Sequence, residues 1–140
     1  DLVAGARNGN QVWTLLGNGA GGFEAASSTV GMSPSELVLT DFNADGVDDI
    51  WVCDREPASA GQVQRTELHL GLPEGGFDAA AELSFEIPVD ANFQVWCGGL
   101  LAEDVDDDGL PDLILGTSVQ ATNGGPVELD MNIYINESDG

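Results

Sequence analysis

Lysine is absent from this chain, and arginine occurs only as Arg7, Arg55 and Arg65. Against these stand 25 aspartates and glutamates, a formal charge of −22. A field of that sign repels phosphate, which makes nucleic acid and anionic membrane surfaces poor partners. Long apolar runs are missing too, so no segment reads as a membrane span. The chain opens Asp1-Leu-Val-Ala-Gly5, which is no signal peptide. Either a leader has been removed or the chain is a piece of something larger. Histidine occurs once, as His69, with no serine or cysteine nucleophile motif beside it; a structural or surface role is expected for it. Cysteine occurs only as Cys53 and Cys97. Two is compatible with one disulfide in an oxidising compartment or with two buried thiols. Hydrophobic residues still make up 42% of 140, which excludes a disordered acidic tail and leaves enough for a core.

Much of the acid is concentrated in two stretches of identical spacing. One is Asp41-Phe-Asn43-Ala-Asp45-Gly46-Val47-Asp48-Asp49; the other is Asp104-Val-Asp106-Asp107-Asp108-Gly109-Leu110-Pro111-Asp112. Oxygen-bearing side chains fall at positions 1, 3, 5 and 9 of each, with glycine at position 6. Position 7, Val47 or Leu110, can turn its carbonyl inward, and glycine permits the bend before it. Carboxylates this close repel one another unless a cation sits among them. Both stretches are therefore expected to be Ca²⁺ loops. Their seven carboxylates would leave most of the −22 on the solvated surface.

The surroundings of the loops repeat as well. An apolar strand precedes each (Glu36–Thr40, Gly99–Ala102) and another follows (Ile50–Cys53, Leu113–Leu115). A third strand comes after a variable loop, at Thr66–Leu70 and Asp130–Ile135, the latter alternating polar and apolar residues. A Gly-rich turn ending in Phe77 leads to a fourth strand near Ala81–Ile87. The N-terminus enters the same frame partway. Asp1-Leu-Val-Ala-Gly5 aligns with Asp49–Cys53 and Asp112–Gly116, which makes Asp1 the ninth position of a partial, truncated loop. Arg7–Asn10 reads as a hairpin turn before a strand at Gln11–Leu16. Gly17–Phe23 then matches the turn ending in Phe77, and Asn136–Gly140 enters that turn again. The repeats lie 48 residues apart from Asp1 to Asp49 and 63 from Asp49 to Asp112. No amphipathic helix is expected. The Ala-rich stretches Ala25–Ser28 and Asp78–Glu82 read as loop leading into outer strands.

Tandem four-stranded units suggest an all-β fold, a partial β-propeller with one sheet per blade. The pattern Asp-x-Asp/Asn-x-Asp-Gly-x-x-Asp-Leu/Ile, an apolar strand and then Gly-x-Gly-Gly-Phe resembles the FG-GAP/VCBS repeat, the blade of integrin α-subunit-like propellers. The resemblance covers nearly the whole chain. It implies Ca²⁺ in the loop between the first and second strands of a blade. It places the ligands at Asp41, Asn43, Asp45, the Val47 carbonyl and Asp49, and at Asp104, Asp106, Asp108, the Leu110 carbonyl and Asp112. Residues 1–35 become the end of a truncated blade, 36–95 a complete one, and 96–140 a blade stopping at its last turn. An EF-hand would need Glu at position 12, where Val52 and Leu115 stand. Dockerin-type loops continue into a helix, and thrombospondin-like repeats pack their cages end to end.

In this frame the Ca²⁺ loops and the Gly-Gly-Phe turns share one face. The other face receives the variable segments Arg7–Asn10, Asp54–Val63, Ser118–Val127, Val30–Ser35 and Pro88–Val95, where recognition is expected. Cys53 and Cys97 approach that second face in neighbouring blades, which favours an inter-blade disulfide over two thiols. Trp13, Trp51 and Trp96 are expected in core or inter-blade packing rather than in carbohydrate stacking. Asn136-Glu-Ser138 is a glycosylation sequon. The resulting expectation is a non-catalytic, secreted or cell-surface propeller segment for adhesion or assembly. Its partners would be the remaining blades, a second copy, or an extracellular protein or glycan. The alternative is the propeller scaffold of a polysaccharide-active enzyme or a lectin.

Overall fold

The structure is a computed structural model; it describes residues 1–6, 10–30, 32–54, 58 and 61–137. The fold is all-β. Among the described residues there is no helix, and ten strands form three antiparallel sheets. The first sheet comprises β1 (Leu2–Ala6), β2 (Gln11–Gly17) and β3 (Phe23–Thr29). The middle sheet comprises β4 (Pro34–Thr40), β5 (Asp49–Asp54), β6 (Val63–His69) and β7 (Leu83–Pro88). The last comprises β8 (Phe93–Glu103), β9 (Asp112–Ala121) and β10 (Val127–Tyr134). Within each sheet, spatial order follows chain order, as short connections favour.

The sheets stack face to face in a sandwich-like arrangement, and the middle sheet is covered on both sides. Ile50 and Val52 of β5 point one way, into a cluster with Val12, Val30, Met32 and Phe77. Trp51 points the other way, into a cluster with Leu68 and Leu113. This explains why Ile50–Cys53 is an unbroken apolar run: all four residues are fully buried, so the usual alternation of a half-exposed strand is lost. Each large side chain buried there contributes roughly 1.5–3 kcal/mol, which sets the order of the layers more firmly than any surface contact does.

An aromatic chain crosses the second cluster. Phe42 meets Trp51 edge-on at 5.4 Å between centroids, Trp51 stacks on Phe85 at 5.4 Å, and Phe85 stacks on Tyr134 at 4.0 Å. Trp51 is therefore core, as expected. Trp13 is not: it is 38% exposed on the outer side of the first sheet. Trp96 is partly buried.

Several boundaries differ from the sequence reading. Ala25–Ser28 belongs to β3 itself, paired with β2 from Gln11↔Thr29 to Gly17↔Phe23. An alanine run carries helical propensity, and cross-strand pairing overrides it. Phe93–Val95 is strand rather than connector, because β8 runs on past a bulge at Cys97/Gly99 to pair with the far end of β9. Ser118–Ala121 is strand for the same reason. Arg7–Gly9 of the expected hairpin turn, and Arg55, lie outside the described residues.

Cys53 and Cys97 form a disulfide, which ties the middle sheet to the last. Arg65 pairs with Glu86 at 3.2 Å across β6 and β7.

Candidate metal loops

The two acidic loops each join the first strand of a sheet to the next, β4 to β5 and β8 to β9. Both fold around their own side chains by one scheme. Asp41 accepts the N–H groups of Asp45 and Gly46 at 3.0 and 2.9 Å. Asp104 accepts those of Asp108 and Gly109 at 3.1 and 2.9 Å. Position 3 accepts the same position-5 N–H, through Asn43 at 3.0 Å and Asp106 at 3.3 Å. Position 5 accepts from position 7, at 2.9 Å in Asp45–Val47 and 2.8 Å in Asp108–Leu110. The tight winding requires left-handed backbone twice per loop. Gly46 and Gly109 take it at φ 89° and 92°, and so do the non-glycine residues Ala44 and Asp107 at 59° and 63°.

The carboxylates of Asp104, Asp106 and Asp108 converge. One oxygen from each lies within 4.8 Å of the others, and all three residues are exposed. A single Ca²⁺ holds oxygens at about 2.3–2.6 Å, so ligands sharing it stand no more than about 5 Å apart. The triad meets that limit. Loss of solvation in the loop and repulsion from Asp108 raise the Asp106 carboxyl above its ordinary range, the direction expected where a counter-charge is wanted. In the first loop Asn43 takes the place of one carboxylate. Its amide nitrogen donates to Asp45 Oδ2 at 3.1 Å.

The ninth residues behave differently from the other four. Asp49 and Asp112 are buried, and each clamps two backbone N–H groups. Asp49 accepts from Phe42 at 3.0 Å and from Gly71 at 2.8 Å. Asp112 accepts from Val105 and from Asn136, both at 2.8 Å. Asp1 accepts from Gly17 at 2.7 Å. In each sheet, then, this aspartate fastens its own loop or strand start to the far end of the strand that follows its own, at Gly17 closing β2, Gly71 after β6 and Asn136 after β10. Burial pushes the Asp49 carboxyl up, while the N–H groups of Gly71 and Phe42 pull it down, and burial prevails. A side chain at Gly71 would run into the carbonyl of Asp48. The last sheet solves the same crowding with a hydrogen bond. Asn136 stands where Gly71 does, and its amide donates to the Pro111 carbonyl at 3.3 Å and to the Phe42 carbonyl at 2.7 Å.

Asn136 bridges the two loops, a role its sequon does not point to; Ser138 of that sequon lies outside the described residues. The signal was available: an asparagine occupies a position held by glycine in the two preceding turns. His69 is buried in β6, with Nδ1 2.9 Å from the Asp78 carbonyl and Nε2 3.4 Å from Glu67. A scan of family models finds no match, and comparisons with curated proteins and with solved structures find none.

Proposed function

We propose that this chain is a segment of a calcium-stabilised, non-catalytic β-propeller acting outside the cell in adhesion, protein–protein interaction or assembly. The observation that carries this reading is the recurrence of one loop scheme at 41–49 and 104–112, each loop followed by an aspartate clamp onto a later turn. The antiparallel meander β4-β5-β6-β7 is then one complete blade. β1–β3 are the second to fourth strands of the blade before it, and β8–β10 the first to third strands of the blade after it. Two Ca²⁺ sites follow, with ligands Asp41, Asn43, Asp45, the Val47 carbonyl and Asp49, and Asp104, Asp106, Asp108, the Leu110 carbonyl and Asp112. The ion supplies positive charge among carboxylates that otherwise repel, and so couples metal binding to folding. The disulfide and the modest affinity of such loops both suit an oxidising, calcium-rich exterior.

The test is thermal unfolding of the full chain with Ca²⁺ and with a chelator, together with calorimetric titration of Ca²⁺. The expected result is a marked fall in Tm on chelation, recovery on adding Ca²⁺, and two sites per chain. An unchanged Tm and no heat of binding would end the calcium reading.

A further inference from the structure

Asn136 directs all of its N–H donors at the two acidic loops. Its backbone N–H donates to Asp112 Oδ1 at 2.8 Å. Its side-chain amide has two hydrogens; one serves the Pro111 carbonyl at 3.3 Å and the other the Phe42 carbonyl at 2.7 Å. Each of these carbonyls belongs to the peptide group that leads directly into a proposed ligand, Asn43 in the first loop and Asp112 in the second. Phe42 is also held from its other side, since its N–H donates to Asp49 Oδ2 at 3.0 Å. Asp112 accepts the Val105 N–H through its second oxygen at 2.8 Å. A continuous run of hydrogen bonds therefore joins Asp49, Phe42, Asn136, Asp112 and Val105.

The bridge is particular to this pair of loops. In the middle sheet the matching position is Gly71, whose N–H holds Asp49 Oδ1 and which has no side chain to reach a neighbouring loop. The loops it joins are each under internal repulsion. Oxygens of Asp104, Asp106 and Asp108 lie within 4.8 Å of one another, and repulsion at that range favours an open loop unless a cation sits among them. The proposed ligands include three carboxylates in the first loop and four in the second. With one Ca²⁺ each loop thus keeps a net negative charge and does not repel the second ion; salt screens the attraction that is lost.

We propose that the two loops take up Ca²⁺ with positive cooperativity and that Asn136 is the positioning residue that couples them. This deepens the calcium reading above and rests on it. Relief of the repulsion in the second loop closes that loop and fixes the Pro111–Asp112 peptide. Asn136 is then held by its backbone N–H and by one amide hydrogen, and its other amide hydrogen holds the peptide that carries Asn43. Part of the ordering that the first loop needs is therefore already in place when its ion arrives, and that ion binds more tightly. By linkage the effect runs equally in the other direction. Coupling of this kind amounts to about 5-fold or more in affinity.

The test is calorimetric titration of the full chain with Ca²⁺ at about 0.15 M salt. Asp108→Ala disables the second loop and Asp45→Ala the first, which gives the affinity of each loop with the other empty. In the wild type, the product of the two stepwise binding constants should exceed the product of these single-loop constants by about 5-fold or more. Repeated in an Asn136→Ala background, the same three titrations should give no excess. A residue that only stabilised the fold would change the affinities without removing their non-additivity. Circular dichroism checks folding. Asn136→Gly, which sets the middle sheet's residue at this position and keeps the N–H that Asp112 accepts, stands in if the alanine variant fails to fold. Two bound ions with no excess in the wild type would overturn the coupling and leave the calcium reading standing. An excess that survives loss of the Asn136 amide would overturn the role of Asn136 and pass it to Phe42 and Leu113, which share a core cluster. A chain that binds no ion would remove the calcium reading and the coupling with it.

Discussion

The side-chain amide of Asn136 donates to the carbonyl of Phe42, 94 residues away in the chain, while its backbone N–H donates to Asp112. One residue therefore holds the second position of the first acidic loop and the ninth position of the second. Asn136→Ala orphans the Phe42 and Pro111 carbonyls in partly buried surroundings. The expected loss is about 1–2 kcal/mol, read as a lower urea midpoint at unchanged slope. Asn136→Asp should lose more, since it sets a carboxylate against two carbonyls beside Asp112.

Asp49→Ala removes both acceptors of a buried clamp and leaves the N–H groups of Phe42 and Gly71 without partners. At about 1–3 kcal/mol for each orphaned group, the expected cost is several kcal/mol. Asp49→Asn keeps one acceptor and loses less. Equilibrium denaturation in chelator isolates this effect from any metal. Equal stability of the alanine variant and the wild type would refute the clamp.

Asp108→Ala takes one carboxylate from the exposed triad and leaves the Asp49 and Asp112 clamps in place. Calorimetric titration should then show one Ca²⁺ per chain in place of two, with unfolding in chelator changed little. If Ca²⁺ binding is unaltered, the triad is not the site.

Cys53 and Cys97 close a loop with a sequence separation of 44 residues, for which chain entropy gives a stabilisation of about 4 kcal/mol. Cys53→Ala/Cys97→Ala should lower the urea midpoint accordingly, and reduction of the wild type should approach the same value. Intact mass after alkylation without reductant should show no modified thiol in the native protein.

The strand pattern was readable because each piece has a local cause. Acidic side chains at two-residue spacing with a following glycine wind a tight loop, and apolar runs of four or five residues beside such loops pair into meanders. Both loops and the four strands around the first were expected from these causes. The ends of β3, β8 and β9 were not, because long-range pairing extends a strand past the point where local propensity would stop it.

Local chemistry is legible in the residues themselves: where carboxylates crowd, where the chain turns, and which strands are apolar. How those pieces divide their work depends on the packing of the sheets. Asp49 and Asp112 look like their loop neighbours in sequence, yet burial and two backbone N–H groups make each a clamp, while Asp104, Asp106 and Asp108 stay exposed and converge. Asn136 becomes a bridge, and Trp13 lies outward while Trp51 lies inward, because stacking the sheets decides which of two chemically similar faces meets a neighbour. Local sequence carries no record of that choice; contacts between distant residues make it.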